Sequence, residues 1–248
     1  MNSKISGIKV AFLAALMAIT AMPLLADNSK LPMNDFLQLA RRRNQIATYA
    51  KLHGTLQHRR RGAAVLSMPV YFGVIIHPDR VIGQLVLAKN EGYMLGQAVN
   101  SGLTSVVPMN KEKQNSKLGY VGVRASDLTM SFLFCKAEKE FASETVGGVV
   151  SCRVFLLDDP VHKEKIKVWV STDQAFPLQA EFFRYGEKEA YRVLEASGFT
   201  QKNDLYYVRK IRIEGPGWRT RIDFDADSAE VNVVKKGEHP DIIIKLEK

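Results

Sequence analysis

Helical spacing appears in only two segments of this chain, whereas period-two alternation recurs from Gly54 to beyond Trp218. That imbalance constrains the fold more than any other feature. Strands are predicted at Gly54–Arg61, Ser67–Ile76, Arg80–Ala88 and Gly92–Val99, with turn chemistry between them in "HPDR" and "KNEG". A polar loop follows near residues 110–119. The second half then reads as strand after strand: "KEFASETV", "VVSCRVFLLD", "KIKVWVS", "PLQAEFFRY", "EAYRVLEAS", "LYYVRKIRI" and "WRTRIDFDAD". "YGEKE" and "EGPG" supply hairpin turns. About ten or eleven strands joined by short connections imply one mostly β, antiparallel sheet. So large a sheet curls. Two helices cannot cover one of its faces, so it must bend around its own apolar side, as a closed barrel or as a half-barrel with helices at its mouth.

The longer helix is expected in "NDFLQLARRRNQIATYAKL", where Phe36, Leu39, Ala40, Arg43, Ala47 and Ala50 share a stripe. Arg41 and Arg42 point away from that stripe. The shorter helix is expected in "ASDLTMSFLF", residues 125–134.

Residues 1–26 read as a signal peptide. Lys4 and Lys9 precede an apolar run, Val10–Met22, that is short for a membrane span, and small Ala26 could end the leader. No cysteine follows to carry a lipid. Residues 27–248 are then expected to form a single domain with a short C-terminal tail near 227–248, located in the periplasm. The formal charge of +9 suits solubility, and transient contact with an anionic membrane surface, better than it suits nucleic acid in an exported chain. Cys135 and Cys152 are the only cysteines. Export favours a disulfide between them, worth about 3 kcal/mol for a short loop, with free thiols as the alternative.

No nucleophile elbow, zinc-protease helix, Walker loop or dinucleotide fingerprint is present. The five histidines are scattered among turns and strand ends, without metal-ligand spacing. Neither a cofactor nor a metal is expected, nor catalysis, with an exported hydrolase of a lipid-like substrate as the least favoured alternative. The aromatic residues are more telling. Trp169, Phe182, Phe183, Tyr185, Tyr191, Tyr206, Tyr207, Trp218 and Phe224 crowd the second half. Ordinary core packing accounts for most of them, and the alternative is the lining of an apolar ligand site. Trp218, Thr220, Ile222 and Phe224 share one strand face. Trp169 and Phe183 lie on an otherwise polar face, either under a loop or as a partner surface.

The order of "SDLTMSFLF", "GGVVSCRVFLLDDP", "KVWVSTDQAFPLQAEFFRYGEKEAYRVLE" and "DLYYVRKIRIEGPGWRTRIDFD" resembles the outer-membrane lipoprotein-sorting proteins, which have the LolA-like lipoprotein-carrier fold. The resemblance spans roughly Leu37–Asp225. It implies an open, strongly curved antiparallel half-barrel, LolA/LolB-like, with helices under its concave face and an apolar cavity between them. It also implies a non-catalytic carrier or chaperone for the acyl chain of a lipoprotein or a lipid. Related proteins use the fold to sense envelope components, which makes an envelope protein partner the alternative. Val168, Val170, Leu178, Ala180 and Phe182 match the family's central strand pair; Tyr191, Trp218, Ile222 and Phe224 complete the expected lining. Trp169 matches the family's usual tryptophan, and Cys152 a common cysteine, while Cys135 stands where an aromatic is usual. Arg43 is the candidate for the arginine that helps shut the lid in classical carriers.

Overall fold

A computed structural model describes residues 28–41, 46–98, 102–110 and 117–247. The expected signal peptide, Arg42, Arg43 and most of the polar loop lie outside the described residues. Among the described residues thirteen strands make one open, curved antiparallel sheet. They are β1 (Thr48–Arg60), β2 (Leu66–Ile76), β3 (Arg80–Leu87), β4 (Glu91–Ala98), β5 (Thr104–Pro108), β6 (Lys136–Val146), β7 (Val150–Asp159), β8 (Glu164–Ser171), β9 (Pro177–Arg184), β10 (Arg192–Lys202), β11 (Leu205–Gly215), β12 (Trp218–Phe224) and β13 (Glu230–Val233). The spatial order is β5-β4-β3-β2-β1-β12-β11-β10-β9-β8-β7-β6. The barrel alternative therefore falls: among the described residues β5 and β6 end the order without pairing with each other.

β1 is the hinge of this arrangement. It pairs with β2 along its length, with β12 from Gly54 onward, and with β13 over Thr48–Lys51. The first and last strands of the chain thus meet in mid-sheet. Alternation then sets the faces. Leu52 lies opposite Phe72, Phe72 opposite Leu85, and Leu85 opposite Tyr93, all turned to the concave side and buried.

Two sequence expectations are corrected here. Among the described residues the long helix is α1, Met33–Arg41, and Ala50 belongs to β1. In "ATYAKL" the small and apolar residues satisfy both periods, and pairing of Thr48–Leu52 with β2 decides for the strand. The short helix is α3 (Ala125–Thr129), broken at Met130 by a left-handed φ of 52°, then a 3-10 turn at Ser131–Phe134. The strand total exceeds the expectation by β5 and β13.

Between the edges, the chain runs from β5 to β6 through α2 (Lys117–Tyr120), α3 and the 3-10 turn. This crossing segment lies over the concave side and packs into it. Leu118, Val121, Val123, Leu128, Phe132 and Leu133 are buried in the same core as the strands. Phe36, Leu37 and Ala40 of α1 join them, with Phe36 stacked on Phe155 at 5.7 Å. Among the described residues no helix is long and apolar enough to cross a membrane.

Candidate functional site

The concave face is the surface where these elements converge. Val168, Val170, Leu178, Ala180 and Phe182 come together on β8 and β9, with Val168 directly opposite Ala180. Ile222 and Phe224 share the same face on β12. All seven are buried, most of them at 0–1 % exposure, so their surfaces touch the protein itself. Tyr191 and Trp218 stand half-buried at the rim. Phe182 sits at the centre of the contact with the crossing segment. The Phe132 ring meets it edge-on at 5.9 Å, and the guanidiniums of Arg192 and Arg124 lie 4.8 and 5.7 Å from its centroid.

The crossing segment therefore acts as an apolar plug. Four arginines fasten it and α1 in place. Arg192 of β10 donates through Nη2 to Gly122 O (3.2 Å) and to Asp127 Oδ2, and both charged side chains are almost wholly out of water. Asp127 Oδ2 also accepts the backbone N–H of Arg124 at 2.6 Å, closing the first turn of α3. Arg124 in turn donates to Glu164 Oε1 (2.8 Å) and Tyr191 Oη (2.6 Å), while the Tyr191 hydroxyl donates to Glu164 Oε2. Despite its burial, the Glu164 carboxylate and Tyr191 raise the Arg124 pKa. Burial, then the bond to Glu164, raises the Tyr191 pKa. Arg41 of α1 donates to the carbonyls of Leu133 (2.7 Å) and Cys135 (3.2 Å). Arg153 of β7 forks onto Glu140 (2.7 and 2.8 Å) and donates to the carbonyls of Asn28 and Leu31, holding the start of the described chain.

A fifth fastening uses no ion pair. Arg60 Nε donates to His58 Nε2 (3.1 Å), which leaves the proton on Nδ1 to meet Thr220 Oγ1 at 2.8 Å. Thr220 Oγ1 donates to Val121 O. Burial and then Arg60 lower the His58 pKa, so the ring is held neutral. Beside it Gly122, at φ 71°, takes the Trp218 ring so closely that a Cβ would stand 2.5 Å from the ring edge.

Of the residues at the plug, sequence reasoning had the apolar face, Val168, Val170, Leu178, Ala180, Phe182, Ile222 and Phe224, with Tyr191, Trp218 and the Thr220 position beside it. It missed the polar fastenings, and it placed Arg41 away from the core side of its helix. Arg43 falls outside the described residues. The expected disulfide is contradicted: Cys135 and Cys152 are free. Cys152 pairs with Glu144 at the far end of β6, whereas Cys135 precedes Lys136, which faces Asp158. Six residues of strand, about 20 Å at 3.3 Å each, separate those ends, and a disulfide needs Cα atoms within about 7 Å. Burial pushes the Cys135 thiol up to about 12, helped by Asp159 and Glu164, and Cys152 up to about 11.

Trp169 is covered rather than displayed. Its Nε1 donates to Glu144 of the bulged β6 at 2.8 Å, and Lys167 lies over its ring at 4.4 Å. Asp159, His162 and Glu164 bring one ligand atom each within 4.8 Å of one another. Their oxygens are already engaged: Asp159 accepts from Val161 N, His162 N and His162 Nδ1, and Glu164 from Arg124 and Tyr191. The set fits turn chemistry and a counter-cation better than a metal.

No family model and no curated protein matches the sequence. Solved structures do share the fold. A DUF1329 family protein from Desulfovibrio piger superposes with a TM-score of 0.60 at 15% identity, covering 79% of this chain and 92% of that one. A domain assigned as an outer membrane lipoprotein-sorting protein, from Vibrio parahaemolyticus, reaches 0.59 at 11% identity, covering 83% and 94%. A LolA superfamily protein from Nitrosomonas europaea is a looser likeness, 0.47 at 12% identity over 85% and 96%.

Proposed function

We propose that the chain is an exported, periplasmic and non-catalytic binder of acyl chains, belonging to a lipoprotein or to a lipid. It takes its ligand on the concave face once the plug has swung aside. One observation carries the reading: an apolar sheet face is closed by an apolar segment whose fastenings are polar side chains and backbone carbonyls rather than covalent links. Such a lid can exchange its core contacts for those of a ligand while its charged groups turn to water. Burial of one CH₂ is worth about 0.8 kcal/mol, so an acyl chain with on the order of a dozen such groups offers roughly 10 kcal/mol. That is enough to offset the opening of a short segment without any catalytic group. The same fold in a domain assigned to lipoprotein sorting supports the reading by analogy.

A second reading has its own observation. Val168, Ala180, Phe182 and Ile222 are packed at 0–1 % exposure, so the concave face is filled by the chain itself. That favours an envelope interaction module whose outer surface meets a protein. Native mass spectrometry of protein purified from the envelope without detergent, with lipid extraction, separates the two. Titration with a monoacylated peptide completes the test. The acyl reading expects a lipid-sized adduct or saturable uptake, lost in Phe182→Asp while the fold persists. Failure of both adduct and uptake sinks it and leaves the interaction module.

A further inference from the structure

The opposite, convex face carries a second built feature, made where the C-terminal residues return to the sheet. From Asp241 to Glu247 the chain is extended but pairs with no strand edge. Its inner positions Ile242, Ile244 and Leu246 turn to the sheet, whereas Asp241, Ile243, Lys245 and Glu247 are exposed. The sheet beneath is shaped for it. Tyr71 Oη donates to Ile242 O at 2.8 Å. Gln84, fully buried, meets Ile244 at both ends of its amide: Nε2 donates to Ile244 O (2.9 Å) and also to Met109 Sδ (3.2 Å), and Oε1 accepts Ile244 N (2.8 Å). A Cβ on Gly73 would overlap the carbonyl oxygen of Ile242, and one on Gly92 would stand 2.8 Å from Met109 Sδ and 2.9 Å from Leu246. Both glycines thus keep a trough open where ordinary strand residues would fill it.

We infer that this trough is a binding site for an extended polypeptide with aliphatic residues at alternate positions, supplied by a partner protein, and that the C-terminal tail occupies it as an internal competitor. Tyr71 and Gln84 read backbone atoms, which every extended chain presents, so specificity reduces to the aliphatic period-two pattern. Beyond the bonds from Tyr71 and Gln84 the tail has few ties. Only Ile242 is buried, Glu247 N bonds Lys89 O, and the Lys89–Glu247 pair is exposed. The connector at residues 235–239 is exposed throughout and includes Gly237 at φ 82°, a position suited to a hinge. A tethered tail acts at a high effective concentration, so it masks the site in the resting chain and weakens any partner until released.

The test uses the full chain and a fluorescein-labelled peptide of residues 240–247, read by anisotropy. Ile242→Asp, which unseats the tail, is expected to bind the peptide at least tenfold more tightly than the unaltered chain. Leu246→Asp provides a second way to unseat it should the first variant unfold. Adding Gln84→Ala to either is expected to abolish binding, and a peptide with Asp at its three inner positions is expected not to bind. A folded, tail-released variant that fails to take up the peptide overturns the site. Concentration-dependent dimerisation of Ile242→Asp without peptide uptake also overturns the partner reading, and assigns the trough to a second copy.

Discussion

Asp127→Ala removes the counter-charge of Arg192 in a place closed to water. Side-chain exposure is 0 % for Asp127 and 3 % for Arg192, so neither group can exchange its partner for solvent while the plug is seated. Breaking one side of a buried pair costs about 3–5 kcal/mol, mainly from the charge left behind. The same substitution takes away the acceptor of the Arg124 N–H, about a further 1 kcal/mol. A protein of this size loses about 2–4 °C of Tm per kcal/mol, so the melting temperature should fall by roughly 8–24 °C if the whole cost of about 4–6 kcal/mol is felt globally. The structure offers an escape, however. With the plug open, Arg192 reaches water, so the loss cannot exceed the free energy that docks the plug. Hydrogen exchange resolved by segment should therefore show residues 117–134 losing protection well before β10–β12. Asp127→Leu combined with Arg192→Met should recover most of the loss, since an apolar pair leaves no buried charge. A Tm within 2 °C of the parent, with plug exchange unchanged, would refute the claim that this pair holds the plug.

Three further outcomes follow from the same geometry. Under non-reducing, denaturing conditions both Cys135 and Cys152 should be alkylated, and in the native state both should react slowly, since burial has pushed their thiols up to about 12 and about 11; an intact mass two daltons light would contradict the free thiols. Gly122→Ala should destabilise by about 1–3 kcal/mol, because the left-handed φ and the Trp218 ring both resist a Cβ, and the near-UV circular dichroism of Trp218 should change; an unchanged spectrum and Tm would count against that contact. The His58 pKa lies below its ordinary value of 6.5 in the folded chain. The unfolded chain then binds more protons, so stability rises with pH through the window between the folded value and 6.5, and is lost as pH falls below 6.5. Melting curves between pH 7 and 5 should show this slope, and His58→Gln should flatten it.

The acyl-binding and peptide-trough readings concern opposite faces of one sheet, and they are separable for that reason. Phe182 faces the plug, Gln84 the tail, and no hydrogen bond described above joins the two. A ligand on the concave face would compete with Phe132 and Leu133, whereas a peptide on the convex face would compete with Ile242.

The strands of the second half, from Lys136 to Phe224, were legible because alternation is a property of neighbouring residues and survives in any tertiary setting. So were the turns at "HPDR" and "YGEKE", where local chemistry decides. Legibility ended wherever a remote partner decides. Residues 47–52 suited either period until β2 and β13 paired with them. β5 and β13 are short, one ends in proline, and β13 gains its place only by meeting β1 from the far end of the chain. That Val168, Ala180, Phe182 and Ile222 share a buried face could be read from their pattern, but not the plug that covers it, because a pattern states that a side chain is covered without saying by what. The fastenings were beyond reach altogether: Arg192 finds Asp127, Arg124 finds Glu164, and Gln84 finds Ile244 only after the sheet has curled and the tail has returned. Periodicity, written between adjacent side chains, is what the sequence alone determined. The matching of buried charges and backbone groups across tens to hundreds of residues was decided by the tertiary structure, since only the fold makes them neighbours and removes the water that would otherwise satisfy them.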